Sequence, residues 1–190
     1  IYQTEKAGEA EWKVGQRAIK EGLKVEHLTK EQVQKLEPNA GLDVNGAVYY
    51  YSDAHMTPNE FMSQMKSYLK KNGVSILSNE EVLDIVVSNN KVTEIKTKNL
   101  QIKSDEFVIS TGSWTQQLVK KLNTKIPIQA GKGYRINVAK ETNITIPSIL
   151  MEAKVAVTPM NGFTRFAGTM EVDKINHKIN PVRVNAIAKA

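Results

Sequence analysis

The chain has 190 residues, a formal net charge of +6, 41% hydrophobic and 24% charged residues, and no cysteine. That length suits one sizeable domain or two small ones, and the composition excludes wholesale disorder. Without cysteine there is no disulfide, thiolate metal site or cysteine nucleophile, and a reducing compartment is allowed. No run approaches the roughly 18 apolar residues that would mark a transmembrane helix, and Ile1 to Ala10 carry no signal-peptide pattern.

Residues 5 to 21 read as a helix, with Ala7, Ala10, Val14 and Ala18 at helical spacing and Gly22 as its stop. Thr29 and Gln32 form a capping-box pattern that opens a short helix through Val33 and Leu36, ended by Pro38. Asn39 to Ser52 reads as a loop followed by a short strand over Ala47 to Tyr51. A second capping box, Thr57 to Glu60, has Pro58 in the first helical position and Met56 and Phe61 set for a hydrophobic staple. Its helix shows one apolar face, Phe61, Met62, Met65, Tyr68 and Leu69, and ends at Asn72-Gly73.

The period then changes to two. Val74 to Leu77 is a short strand, and 82–87, 92–97 and 100–110 form a three-stranded meander with turns at Ser88-Asn89-Asn90 and Lys98-Asn99. Phe107-Val108-Ile109 is apolar throughout, as in a strand covered on both faces. Thr111-Gly112 follows, and Ser113 with Gln116 gives a third capping-box pattern for a helix burying Trp114, Leu118, Val119 and Leu122. Further strands fall over 126–128, 133–138, 149–151, 155–158 and 163–167, with Asn161-Gly162 as a hairpin turn, and a last helix begins behind Pro181. The fold class is α+β, a mostly antiparallel sheet with flanking helices.

Several chemistries are disfavoured by spacing. His27, His55 and His177 stand far apart without ligand-spaced neighbours, so no metal site is expected. There is no Gly-x-Ser-x-Gly elbow and no Walker-type loop; Gly131-Lys132-Gly133 reads as a turn between strands. The basic balance is carried by lysine, with arginine only at 17, 135, 165 and 183, which fits a solvated surface better than a nucleic-acid partner. The most chemically suggestive arrangement is the apolar strand, Thr111-Gly112, then a helix start, where a glycine admits close approach and unpaired N–H groups face a phosphate or carbonyl oxygen.

Taken in order, several segments carry a resemblance. They are Asp53 to Pro58 leading into a helix that ends Lys71-Asn-Gly-Val74, the Val82 strand, Val92 to Thr97, Asp105 to Trp114, Ile126 to Tyr134, and Arg165 to Glu171. Together they resemble the middle of FAD-dependent amino-acid oxidoreductases of the D-amino acid oxidase superfamily, with bacterial D-amino acid dehydrogenases and glycine oxidases nearest in look. The likeness covers nearly the whole chain. It implies that Val82 meets the adenine part of FAD, that Thr111 and Gly112 pass close to the dinucleotide, and that Trp114 packs just behind. It implies further that Met151 and Met170 face the substrate above the flavin, with Thr169 beside them. Where relatives carry substrate-binding tyrosines, residues 151–156 here are Met-Glu-Ala-Lys-Val-Ala.

By the same resemblance, 1–52 and 126–190 form a substrate-binding domain and 53–125 part of a discontinuous FAD-binding domain. The glycine-rich opening turn and the closing arginine segment of such enzymes are absent from these 190 residues, so the chain reads as the central piece of a longer enzyme. The implied reaction is oxidation of the C–N bond of a D-amino acid or related amine by hydride transfer to FAD, with no catalytic residue required from this piece. FAD belongs to the full-length parent, and the piece alone should hold it weakly or not at all. The implied setting is cytoplasmic, with peripheral membrane contact if a quinone takes the electrons. The alternatives are a sarcosine-type oxidase or glycerol-3-phosphate dehydrogenase of the same superfamily, or a non-catalytic α+β module for an anionic partner.

Overall fold

The computed structural model describes residues 1–190, which divide into two units, one made of 1–61, 133–171 and 178–190 and the other of 62–132 and 172–177. The elements are α+β as expected, with three antiparallel sheets.

In the first unit, α1 (Glu5–Lys20) is capped by Thr4, whose hydroxyl accepts from the Ala7 N–H at 3.3 Å. Its buried side differs from the expected one: Ala10 and Val14 are exposed, whereas Gly8 and Gly15 are buried. The two glycines lie two turns apart, so they share a face. A side chain at Gly8 would strike the Tyr2 ring, and one at Gly15 would press on Val48 and Val25 at 3.0 and 3.2 Å. The helix therefore approaches its neighbours closely through hydrogen atoms rather than through methyl groups.

β1 (Val25–Thr29) pairs with β2 (Gly46–Tyr50). β1 was not apparent in the sequence because its buried residues, Val25 and Leu28, are three apart and do not alternate. Thr29 then caps α2 (Lys30–Leu36) through the complete reciprocal box: its N–H donates to Gln32 Oε1 at 2.8 Å, and the Gln32 N–H donates back to its hydroxyl. Leu28, Val33, Val44 and Ala47 close a small core. At the end of α2 the buried Glu37 accepts hydrogen bonds from the N–H and hydroxyl of Thr145 and from the N–H of Ile146. One carboxylate thus fixes a loop more than a hundred residues away.

The larger sheet runs in the order β6 (Gly131–Val138), β9 (Phe163–Val172), β8 (Val155–Met160) and β7 (Ser148–Leu150). Asn161-Gly162 closes the β8–β9 hairpin, with Gly162 at φ +81°. Helix α5 (Pro181–Ala188), capped by Asn180, lays Ile187 against Tyr134 and Val155, the latter 1% exposed. Its first turn is held by Glu171, which accepts from the Tyr134 hydroxyl at 2.9 Å and pairs with Arg183 at 3.4 Å.

In the second unit, β3 (Asp84–Ser88), β4 (Lys91–Lys96) and β5 (Gln101–Lys103) form the expected meander. Asn89 and Asn90 both have positive φ, as a two-residue hairpin of this twist requires. A short α4 (Thr115–Val119) lies between one-turn 3₁₀ segments, Gly112–Trp114 and Lys120–Leu122. Lys121 ties the last of these to β3 through the Leu83 carbonyl and the Asp84 carboxylate, at 2.6 and 2.7 Å.

Four sequence expectations are corrected. Residues 74–77 and 126–128 are not strands, and the third meander strand stops at Lys103. Phe107-Val108-Ile109 is neither a strand nor covered, and Val108 is 90% exposed. A covered strand needs neighbours along both edges to take its N–H and C=O groups, and no strand pairs with 107–109. The capping boxes at Thr57 and Ser113 do not form. The Thr57 hydroxyl faces Met160 Sδ at 3.9 Å, and Glu60 accepts from Asn161 on the hairpin turn. Ser113 falls inside the 3₁₀ turn, while Gln116 accepts from the Ile126 N–H at 3.0 Å. Helix α3 (Pro58–Lys71) forms as predicted, yet it buries none of its residues, and Met56 and Phe61 remain exposed.

Replacing Glu37 with alanine leaves two part-buried backbone donors without their acceptor, so Glu37→Ala should lower unfolding stability by about 2 kcal/mol. Urea denaturation measures this, and a loss below about 1 kcal/mol would show that the clasp on Thr145 and Ile146 is dispensable.

Candidate functional site

Two of the three substrate-side candidates, Thr169 and Met170, lie near the end of the longest strand. Along β9, Phe166 packs into the core beneath α5, and a Cβ on Gly168 would lie 2.9 Å from Val155 and 3.5 Å from Ile187. Strand alternation then sends Arg165 and Ala167 to the opposite face. Their partners across the ladder are Thr158 and Ala156. Thr169 follows at φ +54°, a left-handed conformation that a β-branched residue adopts only under strain, at a cost of about 1–3 kcal/mol. Its hydroxyl oxygen is enclosed and has no hydrogen-bond partner. Met170, next along, is 63% exposed. Strain and an unpartnered hydroxyl thus coincide on one residue, beside an exposed methionine.

Met151 sits in the turn after β7, where its N–H donates to the Ile1 carbonyl at 3.1 Å. Glu152 anchors the same turn. It accepts from the N–H groups of Gln3 and Thr4, both at 3.0 Å, and from the Thr4 hydroxyl at 2.9 Å. Desolvation opposes its ionisation, but those hydrogen bonds together outweigh it and hold the carboxyl below its ordinary range.

The cofactor-side candidates Val82, Thr111, Gly112 and Trp114 all belong to the second unit, whereas Met151, Thr169 and Met170 belong to the first. Val82 is half-buried just ahead of β3. Thr111 precedes the 3₁₀ turn and its hydroxyl lies 3.1 Å from that of Thr115. Gly112 has φ +54°, and a Cβ there would meet nothing within 4 Å. The backbone of the Thr111-Gly112 turn therefore has open space beside it, and Trp114, in the same 3₁₀ turn, is half-exposed. No group of three or more His, Cys, Asp or Glu residues is placed to hold a metal.

Two features escaped the sequence. The strain at Thr169 has no sequence signal, because threonine is an ordinary strand residue. The clasp of Glu152 on Gln3 and Thr4 joins segments almost 150 residues apart, a pairing that no local pattern announces.

Thr169→Gly removes both the strain and the orphaned hydroxyl, against a smaller entropic loss, so it should raise stability by about 1 kcal/mol. A lowered urea midpoint would contradict the strain. Glu152 titrates with the opposite consequence for acid. Its depressed folded pKa supplies stability that is complete above the unfolded carboxylate range and is lost as pH falls through the folded value. The melting-temperature gap between wild type and Glu152→Gln should be full at neutral pH and close on acidification; a gap unchanged into strong acid contradicts the clasp.

Comparison with known proteins converges on one group. Relatives include the D-amino acid dehydrogenase of Helicobacter pylori, 26% identical over 164 residues, which cover 85% of this chain and 40% of that protein. The D-amino acid dehydrogenase of Vibrio vulnificus is 27% identical over 157 residues, covering 80% and 38%. Among solved structures, glycine oxidase from Bacillus cereus superposes with a TM-score of 0.84 at 25% identity, over 98% of this chain and 52% of that one. L-proline dehydrogenase from P. horikoshii shares the fold, with a TM-score of 0.80 at 20% identity over 95% and 51%. The chain spans about 40% of the length of the curated relatives it matches. The FAD dependent oxidoreductase family model matches all of residues 1–190, and the chain belongs to that family.

Proposed function

We propose that the full-length protein oxidises the C–N bond of a D-amino acid or related amine, and that this chain supplies the substrate-facing sheet and part of the FAD-binding lobe. The observation that carries the reading is Thr169. Its strained backbone and unpartnered hydroxyl stand beside the exposed Met170, at the positions that resemblance gives to substrate contact. In this reading 1–52 and 126–190 form the substrate domain, and 53–125 belong to the FAD lobe.

Residues fitted to the cofactor are Val82, Thr111, Gly112 and Trp114, of which the Thr111-Gly112 turn offers open backbone for the adenosine end. When bound, FAD supplies the redox chemistry by accepting the hydride. The chain's own contribution is to orient the amine, to exclude water around the reacting carbon with Met151 and Met170, and to offer the Thr169 hydroxyl to the bound ligand. A small amine or amino acid is the partner this site takes. No helix is long and apolar enough to cross a membrane; a quinone acceptor would bring the parent to a bilayer as a peripheral protein.

In this reading the uncovered 107–109 run and the bare α3 face receive the rest of the polypeptide. Two separate compact domains of half this mass would expose about 10,900 Å² between them. The chain exposes 14264 Å². The surplus is of the order buried in permanent interfaces.

The purified full-length protein should carry flavin absorbance that bleaches without oxygen on addition of D-amino acids. Bleaching by glycerol 3-phosphate alone would move the protein to a different branch of the family's chemistry. Absence of flavin, with salt-dependent retention on heparin, would instead favour the anion-binding module.

A further inference from the structure

The open face of β9 carries a cation that the chain leaves unanswered. Arg165 is half-buried, its Nη2 donates to the thioether of Met160 at 3.3 Å, and its Nε is enclosed with no partner. Thioether sulfur is a weak acceptor, and a guanidinium presents five N–H donors and cannot be deprotonated. A partly buried charge held this way is costly until an anion arrives. The contrast with Arg183 is direct, since that guanidinium lies 3.4 Å from the Glu171 carboxylate.

Met160 Sδ is also faced by the Thr57 hydroxyl at 3.9 Å, from the residue just ahead of α3. Beyond Arg165 on the same strand come Ala167, with Ala156 opposite it, and then the orphaned hydroxyl of Thr169. The two alanines leave only methyl groups between the two unsatisfied polar residues. Arg165 and Thr169 are four residues apart, about 13 Å along an extended strand. A group gripped by Arg165 is therefore remote from a carbon reacting beside Thr169 and Met170.

We propose that Arg165 binds a carboxylate at the distal end of the substrate, and that the protein accordingly favours amino acids with acidic side chains. This rests on the amino-acid oxidoreductase reading for the reacting end, but the anion site stands on Arg165 itself. The planar fork can take both carboxylate oxygens.

The test uses the full-length protein with Arg165→Met and Arg165→Lys. Calorimetric titration with succinate reads the site without turnover, and KM and kcat for D-glutamate and D-alanine read it in catalysis. Circular dichroism checks that each variant is folded. Arg165→Met should weaken succinate at least about tenfold, with Arg165→Lys in between because it keeps charge and loses the fork. The KM for D-glutamate should rise by a similar factor relative to that for D-alanine, with a smaller change in kcat. Equal succinate affinity in wild type and a folded Arg165→Met, or no saturable succinate binding by wild type, overturns the proposal. Arg165-dependent succinate binding in a protein without flavin or amino-acid oxidation supports the anion site while removing the oxidoreductase reading. If Arg165→Met does not fold, the lysine variant decides alone: affinity equal to wild type counts against the bidentate grip, and a clear loss supports it.

Discussion

The close packing of Gly168 on Val155 governs how the larger sheet presents its open face. Val155 is the most buried side chain of the chain, and Gly168 leaves it no more room than a hydrogen atom allows. That contact draws β9 against β8 and lets Ile187 of α5 close the layer from the same side. With Phe166 and Gly168 committed to the core, Arg165 and Ala167 must face outward. Immediately beyond this tight contact the backbone turns left-handed at Thr169, leaving an enclosed hydroxyl with no partner. Packing on one face thus sets the chemistry offered on the other.

Long-range carboxylate clasps complete the first unit. Glu37 fixes the loop at Thr145 and Ile146, Glu152 fixes the turn after β7 to Gln3 and Thr4, and Glu171 fixes α5 to β6. Each acid meets donors that the sequence places far away. Charge-assisted bonds of this kind are stronger than neutral ones, which suits a sheet whose short edge strand β7 has only three residues. They tie the ends of α2, β7 and β9 to segments the local chain does not reach.

Local patterns were legible where the local chain decides the outcome. The Thr29-Gln32 box formed because both of its hydrogen bonds close within four residues, and Asn89-Asn90 formed its turn because both residues tolerate positive φ. The same pattern at Thr57-Glu60 yielded to the β8–β9 hairpin, whose Met160 and Asn161 took the two groups instead. Phe107-Val108-Ile109 reads as a covered strand from its composition alone, yet no strand pairs with it and Val108 is exposed. In α1 the apolar spacing pointed to the wrong side, since two glycines bury a helix more closely than its alanines and valine do. Thr169 and Arg165 lay beyond any pattern, because an unsatisfied atom exists only relative to a finished fold. Resemblance alone pointed to Thr169; its positive φ and unpartnered hydroxyl belong to the finished fold.

The central claim is that the left-handed Thr169 and its idle hydroxyl exist to meet a bound ligand. A crystal structure of the full-length flavin-loaded protein with a non-reactive amino-acid analogue tests it most directly. The account predicts a polar atom of the analogue within hydrogen-bond distance of Thr169 Oγ1, with Met170 packed on the ligand and the positive φ retained. An analogue seated elsewhere, with the hydroxyl still unpartnered, would contradict it.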